Sequence, residues 1–497
     1  MSRRATVLVS LCLALASPAV AQVRDADAAF ERGDYHAARA GYERALAQDS
    51  LNSHTLYRLA VLDSWDGQLE RSLARFVTLR RIERDDEDIM VAHARVLSWA
   101  NRTAAAVALY DTVLRRTPAR VDAIAGRARA VAWGGDLDRA EALWREGLTS
   151  HADDPELLAG LAQTLYWKGQ PALAEGFAAR ARQLAPNDRS TRDLLDLIRA
   201  ARRPDLTTWS DYAHDSDRNL YYVQQAWYSS DAGGGKRATL HGQWRHANLP
   251  GNGGGSGDSY GADAALLAPL GHRTVLRTGL GVRRLAPDSG TARLPLTAQL
   301  GVSVRPGPFA AIGLAYSRSP FDETAVLIAK GFTTDAVDFS AELSPQPTVS
   351  VSAGGGSTWF SDGNRRLGGV AAAMVGVGHG LQVGALGRGM GFRVAYNNHG
   401  YFAPDRFTVF EGRAVYAWRR ARWSARVDGG LGTQKVGKSA PSQSAWHGGF
   451  DLARGWAANS ELALVGSITN SAASRTGTAT AAAFRYWTLG VRLRQGL

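Results

Sequence analysis

The sequence predicts a two-part chain, an N-terminal α-solenoid of about five repeats followed by a C-terminal antiparallel transmembrane β-barrel of about 16 strands. Three observations predict it. The first half repeats at a fixed interval, the second half alternates apolar and polar at every second residue, and the chain opens with the layout of an export leader. The expected boundaries are 1–21 for the leader, 22–203 for the solenoid with a capping helix, and 206–497 for the barrel.

The leader is read from Arg3 and Arg4, the apolar run Ala5 to Ala16, and Ala19-Val20-Ala21, with cleavage expected after Ala21. The run is too short for a spanning helix. Cys12, the only cysteine, falls inside it, so the mature chain is expected to have no disulfide and no thiolate metal site. Leu11 before it is too large for a lipoprotein signal. No later stretch stays apolar for the length of a spanning helix, so a return to a membrane has to use strands.

The solenoid is read from Trp65, Trp99, Trp133 and Trp167, which stand at equal intervals. The same interval separates the turn residues Gly33, Gly67, Asn101, Gly135 and Gly169. Small residues follow each turn at Ala38, Ser72, Ala106, Ala140 and Ala174; then, mostly, come large rings, Tyr42, Phe76, Tyr110 and Trp144, with Ala178 in the last place. Ala60, Ala94, Ala128 and Ala162 precede the turns. A period of about 34 residues is that of the tetratricopeptide repeat, whose units stack because none buries its apolar face alone. Five units are expected from Asp25 to Pro186, then a capping helix from Ser190 to Arg203. The four tryptophans are expected first as core or concave-face residues, and second as partner-binding positions.

Near Pro204 the period changes to two. Leu296, Ala298, Leu300, Val302 and Val304 alternate with Thr297, Gln299, Gly301, Ser303 and Arg305. Trp487, Leu489, Val491 and Leu493 alternate with Tyr486, Thr488, Arg492 and Arg494. Segments of roughly 10 residues, aromatics near their ends and charges on one face fit strands between lipid and a wet lumen. The Gly/Ser-rich stretch Pro250 to Ser259 is expected as an extracellular loop, and Pro306-Gly307 and His379-Gly380 as short periplasmic turns.

Past Pro204 stand 29 Lys and Arg against 19 Asp and Glu, nearly all of the +12 formal charge. Arg273, Arg277, Arg283, Arg413, Arg422, Arg426, Arg492 and Arg494 are expected to line the passage. They would make it electropositive and favour an anionic polymer, or else pair with Glu411, Asp428 and Asp451 and stiffen the wall. Tyr401, Phe402, Trp359 and Trp244 are candidates for stacking on sugar rings, Tyr401 foremost. No nucleic-acid motif appears, and no cofactor or metal is implied. His214, Asp215 and Ser216 are adjacent, so as strand neighbours they point to opposite faces and make a poor triad; an enzyme is not expected.

Two stretches resemble the C-terminal domain of the cellulose synthase family's outer-membrane exporter: Gly400-Tyr401-Phe402-Ala403-Pro404-Asp405-Arg406-Phe407 and, more loosely, Ser319-Pro320-Phe321-Asp322-Glu323-Thr324. The opening strand pair, with Asp215-Ser216-Asp217 and Tyr221-Tyr222, is equally similar to YaiO-type barrels and to the poly-N-acetylglucosamine exporter. The resemblance implies an outer-membrane porin that passes an exopolysaccharide for a biofilm, cellulose or a charged, substituted polymer. It also implies a periplasmic solenoid docking periplasmic or inner-membrane synthase components. Ala403, Asp405 and the terminal Leu497 depart from that family's pattern, as does the small number of repeats. The alternative is a periplasmic assembly scaffold anchored by a non-conducting barrel.

Overall fold

The computed structural model describes residues 18–251, 254–271, 273–307, 309–346, 348–395, 400–457, 459–471 and 484–497. Residues 1–17 of the expected leader, Cys12 among them, lie outside the described residues. The chain forms two compact units, Met1–Thr164 and Leu165–Leu497.

The helices come in antiparallel pairs: α1 (Pro18–Glu31) with α2 (Tyr35–Gln48), α3 (Ser53–Trp65) with α4 (Leu69–Ile82), α5 (Glu87–Trp99) with α6 (Thr103–Arg116), and α7 (Val121–Trp133) with α8 (Leu137–Ser150). Next in the chain stand α9 (Pro155–Trp167), α10 (Pro171–Leu184) and α11 (Arg189–Arg202). Asp34, Asn52, Asp86 and Asp136 cap helix starts by accepting backbone N–H groups. The turn residues have positive φ: 79° at Gly33, 74° at Gly67, 58° at Asn101, 88° at Gly135 and 74° at Gly169. Glycine or asparagine recurs there because other side chains resist the left-handed region.

In the first unit Ala38, Ala60, Ser72, Ala94, Ala106, Ala128 and Ala140 are fully buried where paired helices meet. Helices approach closely enough for Ser72 Oγ to donate to Ala60 O at 2.7 Å. Tyr42, Phe76, Tyr110 and Trp144 fill the spaces between repeats and are at most 2% exposed. The four periodic tryptophans do not join them. Trp65, Trp99, Trp133 and Trp167 are 40–51% exposed. Each is the last residue of the first helix of its repeat, and Trp65 stacks there on Phe30 with centroids 5.6 Å apart. This corrects the expectation of core positions.

The second unit holds α10, α11 and a closed antiparallel barrel of 16 strands, the number expected. They are β1 (Asp205–Asp215), β2 (Leu220–Gly233), β3 (Lys236–Leu249), β4 (Gly255–Pro269), β5 (Thr274–Pro287) and β6 (Leu296–Gly307). Then follow β7 (Ala310–Pro320), β8 (Thr333–Gln346), β9 (Val349–Phe360), β10 (Arg365–Gly378) and β11 (Leu381–Phe392). The last are β12 (Phe407–Arg420), β13 (Trp423–Val436), β14 (Gln443–Ala457), β15 (Ser460–Thr469) and β16 (Tyr486–Gly496). Each pairs with its sequence neighbours, and β1 pairs with β16 to close the ring.

The two ends of the barrel differ. At the end where β1 starts, consecutive strands join through short turns, including the expected one at His379-Gly380; the pair Pro306-Gly307, expected as a turn, is instead the last two residues of β6. His379 and Gly380 have φ of 50° and 82°, the backbone that a tight hairpin with the native twist demands. At the other end the connections are longer; 321–332 carries the short helix α12 (Ala325–Lys330), and 393–406 is longer still. The expected loop at Pro250 to Ser259 is half strand, since β4 begins at Gly255. Glycine is required there for closeness: a Cβ on Gly257 would lie 2.9 Å from Ile328 Cγ2 of α12. The short-turn rim holds α11 in place. Arg202 Nε reaches Asp231 at 3.0 Å, Arg237 Nη1 donates to Ala201 O at 3.0 Å, and Asn459 Nδ2 donates to Ala200 O at 2.7 Å.

Candidate functional site: the lumen of the barrel

Strand register sorts every side chain onto one of two faces, since paired residues share a face. One face carries Leu240, Leu280, Leu300, Phe410 and Leu431, each more than half exposed. Near one end this face bears Tyr212, Tyr222, Trp244, Tyr260, Trp359 and Trp487; near the other it bears Tyr416, Trp418 and Trp423. Bare aliphatics between two aromatic belts are what a lipid-facing surface presents.

The second face carries the charges, and its contacts identify it as the inside. α12, from the β7–β8 connection, packs Leu327 against Phe360, Phe392 and Tyr401, and Ile328 against Ala247 and Leu285. Those partners come from β9, β11, the 393–406 connection, β3 and β5. One segment can touch strands so far apart around a closed cylinder only through its interior.

Of the expected lining residues, Arg277, Arg283, Glu411, Arg413, Arg426, Arg492 and Arg494 lie on this inner face. Most are matched by wall carboxylates. Arg413 Nε meets Asp428 at 2.6 Å, Arg492 meets Asp451 at 3.2 Å and Glu461 at 3.4 Å, and Arg494 meets Asp205 at 3.8 Å. Arg283 meets Asp263 at 3.5 Å and Asp322 at 3.6 Å, and Arg237 pairs with Asp205. His447 joins the set, with Nδ1 2.8 Å from Glu411 and Nε2 3.2 Å from Asp428. The pairs link strands around the wall, which is the bracing arrangement rather than a ring of bare positive charge. Arg273 and Arg422 stand outside the strands, in the turns before β5 and β13, because each strand starts at the next residue. Arg273 Nη1 donates to Pro306 O at 3.3 Å.

Tyr401 does not face an open passage. It is 4% exposed and sits among Phe321, Phe332, Phe360 and Phe392, stacked on Phe360 with centroids 5.1 Å apart. Its hydroxyl donates to Asp362 at 2.7 Å and accepts from Asn364 Nδ2 at 3.1 Å. Phe402 packs with Phe407, Val409 and Ala445. Trp244 and Trp359 are on the lipid face. The two stretches singled out by resemblance therefore meet each other inside the mouth, Phe321 and Tyr401 with centroids 5.4 Å apart. Asn397 and Asn398, close to Tyr401 in sequence, lie outside the described residues.

The same connection is latched to the far wall. Asp322 accepts from Ser259 Oγ and lies against Arg245 at 3.8 Å and Arg283 at 3.6 Å. Residue types alone give no sign of this latch, which joins strands β3, β4 and β5 to the β7–β8 connection; only closure of the cylinder brings them together.

His214 faces outward against Trp487 while Asp215 faces inward and accepts from Asn219. Ser216 Oγ accepts from Arg485 N at 2.9 Å. The three do not converge. Among the described residues no cluster of metal-ligating side chains occurs, and no helix is long and apolar enough to cross a membrane.

No protein-family model matches the sequence, and no curated protein matches it either. Among solved structures, the chain is similar to a bacterial polysaccharide outer membrane secretin, with 12% identity over 60% of this chain and 99% of that one and a TM-score of 0.48. It is similar to a thermophilic TPR protein of Thermus thermophilus, with 22% identity over 36% of this chain and 98% of that one and a TM-score of 0.32. It is also similar to PilW, a type IV pilus biogenesis factor, with 21% identity over 37% and 86% and a TM-score of 0.33. The fold stands on the chain's own geometry. It is a helical-repeat array joined to a 16-stranded barrel.

Proposed function

We propose that the protein is an outer-membrane porin through which an exopolysaccharide leaves the cell. The observation that carries the proposal is the barrel itself: a closed cylinder, greasy outside, polar and ion-paired inside, plugged at one mouth by latched connections. In this reading the short-turn end and the helical repeats are periplasmic and the plugged end faces outward, following the usual disposition of short turns and long loops. The half-exposed row Trp65, Trp99, Trp133 and Trp167 is offered as the docking face for periplasmic or inner-membrane synthase components. Large amphipathic rings at a surface are characteristic anchors of such contacts. The leader up to Ala21 belongs to the same proposal.

Planar-bilayer recording tests it. The whole protein is expected to stay mostly closed, whereas replacing 322–331 with a short Gly-Ser linker opens a steady conductance. Asp322→Ala, which removes the latch and keeps the helix, is expected to give intermittent openings. If both variants fold by heat-modifiability on gels and neither conducts, the barrel is an anchor for a scaffold and the passage reading is wrong.

A further inference from the structure

We propose that Trp209 and Trp227 form a stacking subsite for an uncharged pyranose chain on the β1–β2 wall of the lumen; this rests on the passage reading above. Register places both indoles on the inner face, diagonally across the β1–β2 pair, with Trp227 opposite Thr207 and Trp209 opposite Gln225. Diagonal neighbours stand about 7–8 Å apart. Both line one cavity of 710 Å³ inside the barrel, and both are partly exposed there.

Each ring is backed on one side. Trp227 lies flat against His241, centroids 4.9 Å apart at 9°, and the Arg492 guanidinium stands 5.9 Å from the Trp209 ring. His241 is itself fixed by Asp263 at 3.0 Å and Gln225 at 3.2 Å. A backed indole is held in one orientation, so it loses little side-chain entropy when something stacks on its other face. The axial C–H faces of a pyranose are the chemistry that such a face recognises.

The rest of the cavity argues for a neutral polymer. Its charged groups are largely paired already: Arg237 with Asp205, Arg283 with Asp263, Arg492 with Asp451 and Glu461. An anionic substituent would have to displace a wall carboxylate, whereas Thr239, Ser229 and Gln299 offer sugar hydroxyls neutral partners. Among the described residues, Arg277 is the inner-face guanidinium of this cavity outside these pairs, and a single cation does not select for charge along a chain. The cavity runs from Arg283 and Ser319, beside the plug, to the short-turn rim at Asp205 and Arg237, and its two tryptophans stand on the β1–β2 wall, outside the latch.

Isothermal titration of the full-length protein in detergent with cellohexaose, and separately with a hexamer of galacturonate, tests the proposal. Saturable binding of cellohexaose is expected, at least about tenfold tighter than the uronate hexamer. It should weaken about tenfold or more in Trp209→Ala/Trp227→Ala, be largely restored in Trp209→Phe/Trp227→Phe, and stay unchanged in Trp244→Ala on the lipid face. Equal affinity in the double alanine variant, or a preference for the uronate, overturns the subsite. The outcome is separable from the passage reading. A plug-deleted barrel that conducts while cellohexaose fails to bind loses the subsite alone, and one that never conducts loses the passage.

Discussion

Gly160 has no room for a methyl group. A Cβ there would stand 2.4 Å from the Trp144 ring, and one repeat earlier a Cβ on Gly126 would stand 2.3 Å from the Tyr110 ring. Each glycine is the seat on which the large ring of the preceding repeat lies, and Trp144 Nε1 completes the fit by donating to Thr164 Oγ1 at 3.0 Å. Gly160→Ala removes a mid-helix glycine, worth about 1 kcal/mol of propensity, yet overpacks the core at about 1–3 kcal/mol. The variant is therefore expected to lower the helical melting transition by circular dichroism, and Gly160→Ala combined with Trp144→Phe is expected to recover part of the loss. These glycines share the repeat's ruler and are legible from it; the tryptophans share it too, and there the ruler misleads. A fixed interval establishes equivalent positions, but only the helix end at Trp65 and its counterparts decides whether a ring points into the groove or out of it.

At the scale of single elements, α5 carries a proton-sensitive group. His93 is 7% exposed and stacks on Phe76 with centroids 5.6 Å apart. Burial, with a smaller push from Arg80, lowers its pKa from 6.5 to about 4. Between those values the unfolded chain binds a proton that the folded one does not, so the stabilisation present above pH 6.5 is lost as pH falls toward 4. The loss is on the order of 2–3 kcal/mol. Thermal unfolding of the helical signal at pH 7 and pH 4.5 is expected to diverge by that much more in the native protein than in His93→Leu. In the barrel, alternation makes the strands legible element by element, including both faces of β6 and β16. The resemblance segments are legible as unusual, but their destination is not. Tyr401 reads as a pore residue because its neighbours in sequence are polar; its neighbours in space are Phe321, Phe360 and Phe392, supplied by other connections and strands. No local pattern reports contacts made across a cylinder.

For the molecule as a whole, the even strand number puts both ends of the barrel segment on the short-turn rim, beside α11. With Cys12→Ser as background, a cysteine at exposed Asp288, between β5 and β6, is expected to react with a membrane-impermeant maleimide on intact cells. One at exposed Lys236, the first residue of β3 on the short-turn rim, is expected to react only after the outer membrane is permeabilised. The reverse pattern would invert the proposed orientation. Charge is where reading by composition fails. The positive excess past Pro204 is real, but the inner wall pairs Arg237, Arg245, Arg283, Arg413, Arg492 and Arg494 with carboxylates, and a net sum carries no information about pairing.

The seam between β1 and β16 also governs how the protein is made. Leu497 N donates to Pro204 O at 2.9 Å, beyond the last rung of that ladder. Until the final strand arrives, β1 offers a raw margin of backbone donors and acceptors to any sticky neighbour. Chains with an unfinished ring therefore need this margin shielded, and zipping shut must be among the last events of folding.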